Sequence, residues 1–509
     1  MDQPPAVALD GRSLTIDDVV AVAEGDARVT LAPEAAERMG RHRAVVDALV
    51  ARGDVAYGVT TGFGKLSDVA IPPDRLAELQ RNLVRSHAAG VGAPLPRREA
   101  RAMMLLRANV LATGYGGARA MLVERLAAML NADVWPRIPE QGSVGASGDL
   151  APLAHLAATL IGEGELWHDG AFRPAADVLR AQGWAPIALA PKEGLTLING
   201  TQAHTAVTTL ALAEARRLWH TAHVAAAMTL DGLLGTPDAW EARIHEVRGQ
   251  DGQQASAALL RALADGSAIR ESHREGDPRV QDAYALRCVP QVHGPVLDAM
   301  RFAAGLVARE LNAATDNPLV FEDGTLRSGG NFHGQAVAMA ADVLAIALTN
   351  LATMSERRLD RLVHPDLNQG LPPFLSPDAG AHSGFMMAQV TAAALASECK
   401  TLCMPASVDT IPTDGSKEDV VPMAMGAALK LRRVVHNVRH VLAIELMCAA
   451  QAIDYRAPLR PGPLVAEAHR RIRGLVAPLV GDRMLSGDIA ALASAVGDGQ
   501  FAALGPRIA

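Results

Sequence analysis

Long runs of this chain carry their apolar residues at helical spacing, and no other feature limits its fold so strongly. From His333 to about Leu362, the residues Val337, Ala340, Leu344, Leu348 and Leu351 recur every three or four positions. That spacing puts a single apolar stripe along one side of a helix. The same reading gives a helix over roughly Thr201 to Leu234, and another from about Gln281 to Asn312 with a break near Pro290. Polar and proline breaks at 316–318, 371–373 and 410–422 separate the runs. A helix of about 30 residues is roughly 45 Å long, and several of them side by side make a bundle with crossovers. An aromatic share of 3% beside a hydrophobic share of 49% fits alanine- and leucine-packed helices better than sheets.

The first two hundred residues read differently. Short strand-like runs alternate with glycine-broken loops, a helical pattern from Arg97 to Asn131 is interrupted at Gly114, Gly116 and Gly117, and a helix begins near Asp149 and runs through Leu160. The expected architecture is mainly α with a small mixed α/β N-terminal part. Residues 1–200 form one domain and residues 201–509 form the long helical bundle and C-terminal helices.

Several function classes lack support. A net charge of −7 over 509 residues gives no reason to expect nucleic acid or an anionic membrane as partner. The apolar stretch Ala336–Met354 contains Asp342 and Asn350 and is expected to fall short of a membrane span. The N-terminus lacks the basic and apolar regions of a signal peptide. The four cysteines, Cys288, Cys399, Cys403 and Cys448, are too sparse for a disulfide scaffold. Cys399 and Cys403, one helical turn apart, read as small core residues. A reducing cytoplasm is the expected compartment. No phosphate loop, no HExxH and no zinc-type cysteine pair is present, so neither metal nor nucleotide is expected.

The chemistry-bearing segment is Gly142-Ser-Val-Gly-Ala-Ser-Gly-Asp-Leu-Ala-Pro-Leu-Ala-His155. Ala146-Ser147-Gly148 has little side-chain bulk, and glycine permits tight backbone geometry. In a compressed loop the Gly148 nitrogen can reach the Ala146 carbonyl carbon. Loss of two waters, one of them carrying the Ser147 oxygen, would leave a methylidene-imidazolone, an electrophile built from the chain itself. The following helix would point its positive end at that ring and stabilise negative charge developing there. A bare Ala-Ser-Gly, by contrast, is an ordinary turn, and no GxSxG frames Ser147 as a hydrolase nucleophile.

The whole segment resembles, almost letter for letter, the signature of the aromatic amino acid ammonia-lyases and aminomutases. The resemblance continues from about Leu14 to the C-terminal region. It implies a long-helix bundle of the fumarase/aspartase-like superfamily. It also implies a homotetramer whose active sites draw on three subunits. Ala146, Ser147 and Gly148 then form the electrophile, with no external cofactor. In Tyr57-Gly-Val-Thr-Thr-Gly-Phe-Gly64 the resemblance makes Tyr57 a catalytic acid/base. A base role needs a positive local field, because a free tyrosine titrates near pH ~10. It puts the Asn199 amide on the electrophile. Gln281, Tyr284 and Arg287 lie three residues apart and share a helix face. Arg287 is matched to the substrate carboxylate, which suits its planar fork. Tyr284 is matched to the reacting centre, with Gln281 beside them in the substrate-binding set. Asn317 falls near the carboxylate and Phe332 lines the pocket; His333 is open between a structural and a functional role.

Two places bear on the substrate. Ser86-His87 resembles the histidine-acting members, although some tyrosine aminomutases share it. Glu418 stands where tyrosine and phenylalanine lyases hold glutamine. A carboxylate can accept from an imidazole N–H, whereas beside a phenyl ring it would be a costly, unpaired neighbour. Histidine-acting members commonly continue Glu-Asp-His-Val-Ser-Met, whereas this chain reads Glu418-Asp-Val-Val-Pro-Met423. The expected reaction is elimination of ammonia from L-histidine to give urocanate, with Tyr57, or second to it Tyr284, taking the β-proton. The alternatives are a tyrosine/phenylalanine ammonia-lyase, a 2,3-aminomutase with the same electrophile or, more distantly, a non-catalytic helical scaffold.

Overall fold

Four helices dominate the computed structural model, which describes residues 5–506. They are Gln202–Gly232, Val289–Glu310, Gln335–Val363 and Ala424–Asp454, of 31, 22, 29 and 31 residues. Helix accounts for 58% of the chain. The expected stripe on Gln335–Val363 is buried throughout, with Val337, Ala340, Leu344, Leu348 and Leu351 all at most 1% exposed.

That helix corrects one expectation. Its most apolar 18 residues have a mean hydropathy of 1.7, so by length and composition it could cross a membrane. Two thirds of that stretch (67%) is buried inside the fold, which accounts for its apolarity. Helix starts also shift. Gln335, not His333, begins this helix, and Gly334 just before it donates its N–H to the Gly145 carbonyl at 3.0 Å. The Gln281 run holds only a short Tyr284–Arg287 turn, and the long helix starts at Val289, so the break falls at Cys288 and not at Pro290. Pro290 sits in the first turn, where its missing N–H costs nothing.

The chain forms two compact units. The first holds residues up to Ala213 with Ala303–Asp342 and Pro405–Leu429, and the second holds Glu214–Phe302, Val343–Met404 and the chain from Lys430 onward. A single division near residue 200 is therefore replaced by one in which two later segments return to the first unit. All strands among the described residues lie in the first unit. Ala6–Leu9 pairs in parallel with Arg28–Leu31, and Val91–Pro94 pairs antiparallel with Pro139–Gln141. Trp135–Pro136, Glu165–His168 and Ala171–Pro174 make a three-stranded sheet, and Leu319–Val320 pairs with Leu326–Arg327.

In the second unit, helices are tied together by a buried ion pair. Glu445 accepts from Arg358 Nε at 2.6 Å, from Ser355 Oγ at 2.5 Å and from Thr229 Oγ1 at 2.9 Å, and both charged side chains are fully buried. Such a pair depends on every hydrogen bond being made, since removing a partner exposes the desolvation cost of the rest. Ser355→Ala is expected to lower stability by about 2 kcal/mol, read as an earlier midpoint in equilibrium denaturation. An unchanged midpoint would mean that the hydroxyl is not needed to satisfy Glu445. Cys399 and Cys448 are buried, whereas Cys403 is only half-buried and turns its Sγ to the Lys400 carbonyl at 3.2 Å.

Candidate active site

Within the first unit the helices Leu76–His87, Leu150–Leu160 and Glu193–Ile198 pack on one another. Beside them opens a cavity of about 700 Å³ whose wall includes Tyr57, Ser86, His87, Ser147, Asn199 and Glu418. Residues from five separate stretches thus share one space.

The Ala146-Ser147-Gly148 loop is held from several sides. The Gly145 N–H donates to Ser143 Oγ at 3.2 Å, the Gly334 N–H to the Gly145 carbonyl at 3.0 Å, and the Ala424 N–H to the Val144 carbonyl at 3.3 Å. Gly148 bridges Gly200 in parallel, and the Asp149 N–H donates to the Gly200 carbonyl at 2.7 Å. Gly148 has φ +72°, and a Cβ there would lie 2.0 Å from the Gly200 oxygen. Only glycine fits that position. Ala146 is buried at 3% exposure. Leu150–Leu160 starts directly after this loop.

Ser147 is gripped at both ends. Its hydroxyl donates to Glu418 Oε1 at 2.6 Å, and its carbonyl accepts from Asn199 Nδ2 at 2.9 Å. The Thr413 hydroxyl donates to the other Glu418 oxygen. Asn199 Oδ1 is buried and has no partner among the described residues, which leaves an acceptor for an N–H brought by a ligand. The small clamped tripeptide, the Gly148 cradle and the Asn199 Nδ2 donor on the Ser147 carbonyl fit a methylidene-imidazolone formed at this place.

Beneath the loop lies Asp149, fully buried, which the sequence marked only as a helix start. Its Oδ1 accepts from Ser143 Oγ at 2.7 Å, and its Oδ2 accepts from the main-chain N–H groups of Ala203 and His204 at 2.8 and 2.9 Å. Those two N–H groups open the Gln202–Gly232 helix, so the carboxylate sits at its positive end. His204 Nδ1 lies 2.8 Å away. Burial alone would raise this carboxyl, but the His204 ring, the Ser143 hydroxyl and the His204 N–H outweigh it and hold it below its ordinary value. Thr413 and Asp414 also escaped notice in the sequence; neither stands out in a polar loop until Glu418 and Tyr57 are placed beside them.

His87 Nδ1 lies 2.9 Å from the Leu83 carbonyl, which makes it the protonated nitrogen and leaves Nε2 as an acceptor. Ser86 Oγ lies 3.0 Å from the same Nδ1. The Tyr57 hydroxyl accepts from the Gly64 N–H at 3.4 Å. Burial pushes this phenol up, and although the Gly64 N–H opposes that, the carboxylates of Asp414, Glu418 and Asp316 push it further. The local field is thus the reverse of the one a tyrosine base needs.

The remaining expected residues lie off this wall. Asn317 Oδ1 accepts from the Gly329 N–H at 2.8 Å and so holds a turn. Phe332 is half-buried, outside the residues that line the cavity. His333 donates from Nε2 to the Val420 carbonyl at 3.1 Å, a structural tie on the Glu418 loop. Gln281, Tyr284 and Arg287 belong to the second unit. Tyr284 is 68% exposed there, and the Arg287 guanidinium lies 4.4 Å from the centre of its ring. No lysine or arginine is among the residues lining the cavity. Among the described residues no cluster of His, Cys, Asp and Glu is placed to hold a metal ion.

The family described as aromatic amino acid lyase matches residues 14–474. The histidine ammonia-lyase of Anaeromyxobacter sp. (strain K) is 58% identical over 500 residues, covering 96% of this chain and 98% of that one. The histidine ammonia-lyase of Koribacter versatilis is 51% identical over 98% of this chain and 99% of its own length. Among solved structures, histidine ammonia-lyase from Trypanosoma cruzi aligns with a TM-score of 0.90 at 44% identity, over 97% of this chain and 94% of that one. Tyrosine aminomutase from Streptomyces globisporus aligns with a TM-score of 0.93 at 38% identity, over 98% of both chains.

Proposed function

The chain belongs to the aromatic amino acid lyase family and is a carbon–nitrogen lyase, and from that premise we propose that it eliminates ammonia from L-histidine to give urocanate, using a methylidene-imidazolone made from Ala146, Ser147 and Gly148. The observation that carries the reading is the Ser147 loop. It is clamped by backbone on both sides, closed to any side chain at Gly148, and placed on the wall of a cavity large enough for an amino acid. Once formed, the group supplies an electrophilic carbon that withdraws electron density from the bound substrate.

The chain's own residues bind and orient. Glu418 and His87 Nε2 are two acceptors on one wall, suited to the two N–H groups of an imidazolium and ill suited to a phenyl ring. The free Asn199 oxygen accepts from the substrate amine. The substrate carboxylate needs a cation that this wall lacks. Arg287 supplies it in our reading, from another copy in a homotetramer, and it brings Tyr284 with it. The same cation would offset the carboxylates around Tyr57. Without it Tyr57 stays a phenol near neutral pH, able to donate a proton but not to remove one from the β-carbon.

The likeness to a tyrosine aminomutase supports a second reading, in which ammonia returns to the β-carbon of tyrosine. Purified protein incubated with L-histidine, L-tyrosine and L-phenylalanine separates the two. We expect urocanate and ammonia from histidine, at a kcat/KM about 10²-fold or more above that for phenylalanine, because an unfilled pair of polar acceptors penalises the wrong ring. A β-amino acid as product, or turnover of phenylalanine at the same rate, would overturn the histidine assignment.

A further inference from the structure

Two of the contacts on Ser147 concern the residue as translated, with its hydroxyl still attached. That hydroxyl, which must leave as water, donates to Glu418 Oε1 at 2.6 Å. Glu418 is itself fixed. The Thr413 hydroxyl occupies its second oxygen, the Thr413 N–H donates to its carbonyl at 2.9 Å, and His333 holds the Val420 carbonyl two residues on. At the other end of the serine, Asn199 Nδ2 donates to the carbonyl at 2.9 Å. A carbonyl with a donor in place accepts electron density as the neighbouring Cα–H is removed, which makes that hydrogen more acidic. One side chain therefore sits where the leaving oxygen departs, and another sits where negative charge gathers. Both groups come from segments far from residue 147 in sequence, 52 and 271 positions away.

We propose that Glu418 carries the proton in the dehydration of Ser147, so that it acts in making the electrophile before any substrate is bound. This rests on the reading of the tripeptide given above. Ring closure joins the Gly148 nitrogen to the Ala146 carbonyl carbon, and one water leaves with that carbonyl's oxygen and the amide hydrogens of Ser147 and Gly148. In the second step the Ser147 α-proton passes to the Glu418 carboxylate. The electron pair left behind forms the Cα–Cβ double bond and the Cβ–Oγ bond breaks. Glu418 returns the proton to the departing oxygen, which leaves as water. Nothing is oxidised or reduced, and Glu418 ends as it began. Asn199 stabilises the charge that passes through the Ser147 carbonyl.

The test follows the mass of the full chain after cell-free synthesis is stopped, by intact mass spectrometry over time. The unsubstituted chain is expected to lose two waters. Glu418→Gln keeps the size of the side chain and an acceptor for the Ser147 hydroxyl, but it cannot carry a proton. Loss of the second water should slow about 10²-fold, and Glu418→Asp should recover part of the rate. Maturation of Glu418→Gln within twofold of the normal rate overturns the proposal, because a holding role alone would survive the exchange. An unsubstituted chain that keeps its translated mass overturns the proposed function itself, a distinct outcome. Far-ultraviolet circular dichroism shows whether Glu418→Gln folds. Should it not fold, Thr413→Val takes its place: release of the Glu418 carboxylate should slow dehydration several-fold, and an unchanged rate refutes the role.

Discussion

Ser147→Ala is expected to abolish loss of the second water and to remove on the order of 10⁴ or more from kcat/KM with histidine, out of the 10⁶-fold and greater accelerations that enzymes supply. The substitution deletes the only oxygen whose departure can create the exocyclic alkene. It takes little else. Ser147 lines the cavity and is half-buried, its carbonyl keeps the Asn199 bond, and Glu418 loses one donor while retaining the Thr413 hydroxyl. A hydrogen bond at such a site contributes roughly 1 kcal/mol net, so the fold should persist and melt close to the unsubstituted protein. Two measurements decide the matter. Intact mass should show two waters lost from the unsubstituted chain and no more than one from the variant, which has no hydroxyl to eliminate. The progress curve for urocanate should be flat for the variant. Appreciable turnover by Ser147→Ala would remove the electrophile from the mechanism, whatever its resemblance to the family.

The helical architecture was legible because burial repeats with the helix: every residue of the Val337-to-Leu351 stripe that sequence spacing marked is buried. The ends were less legible. His333 looked like a helix start, whereas in the fold its N–H closes a turn on the Gly330 carbonyl and the helix begins two residues later. The boundary near residue 200 followed the change from mixed to helical sequence, but nothing local in 303–342 or 405–429 says that these segments return to the first unit. At the site, periodicity could not have joined Glu418 to Ser147 across 271 positions. Resemblance named both residues, and only the fold put the carboxylate on the serine hydroxyl. Resemblance also named Tyr57 without its surroundings. The carboxylates of Asp414, Glu418 and Asp316 come from other segments, and their field opposes the base role.

Asp149 shows the same limit most sharply, and its removal should be felt throughout the first unit. In sequence it is a polar residue before an apolar run, and in the fold it joins the Ser147 loop to the start of a 31-residue helix. Asp149→Ala strands the buried main-chain N–H groups of Ala203 and His204 and takes the acceptor from the half-buried Ser143 hydroxyl. Loss of one side of a buried, charged hydrogen-bond set costs about 3–5 kcal/mol, so the denaturation midpoint should fall markedly. Because Ser143 also steadies Gly145 ahead of the tripeptide, the two-water mass loss should slow as well. Asp149→Asn retains an acceptor and should lie between the two proteins. The pH dependence carries a further sign. The folded carboxyl lies below its ordinary value, so its contribution to stability is complete above pH ~4 and fades as pH falls through the folded value. That part of the acid destabilisation should be missing from Asp149→Asn. A variant at this position that unfolds with the unsubstituted midpoint and matures at the same rate would mean that the Gly148–Gly200 backbone bridge holds the loop without help from the carboxylate.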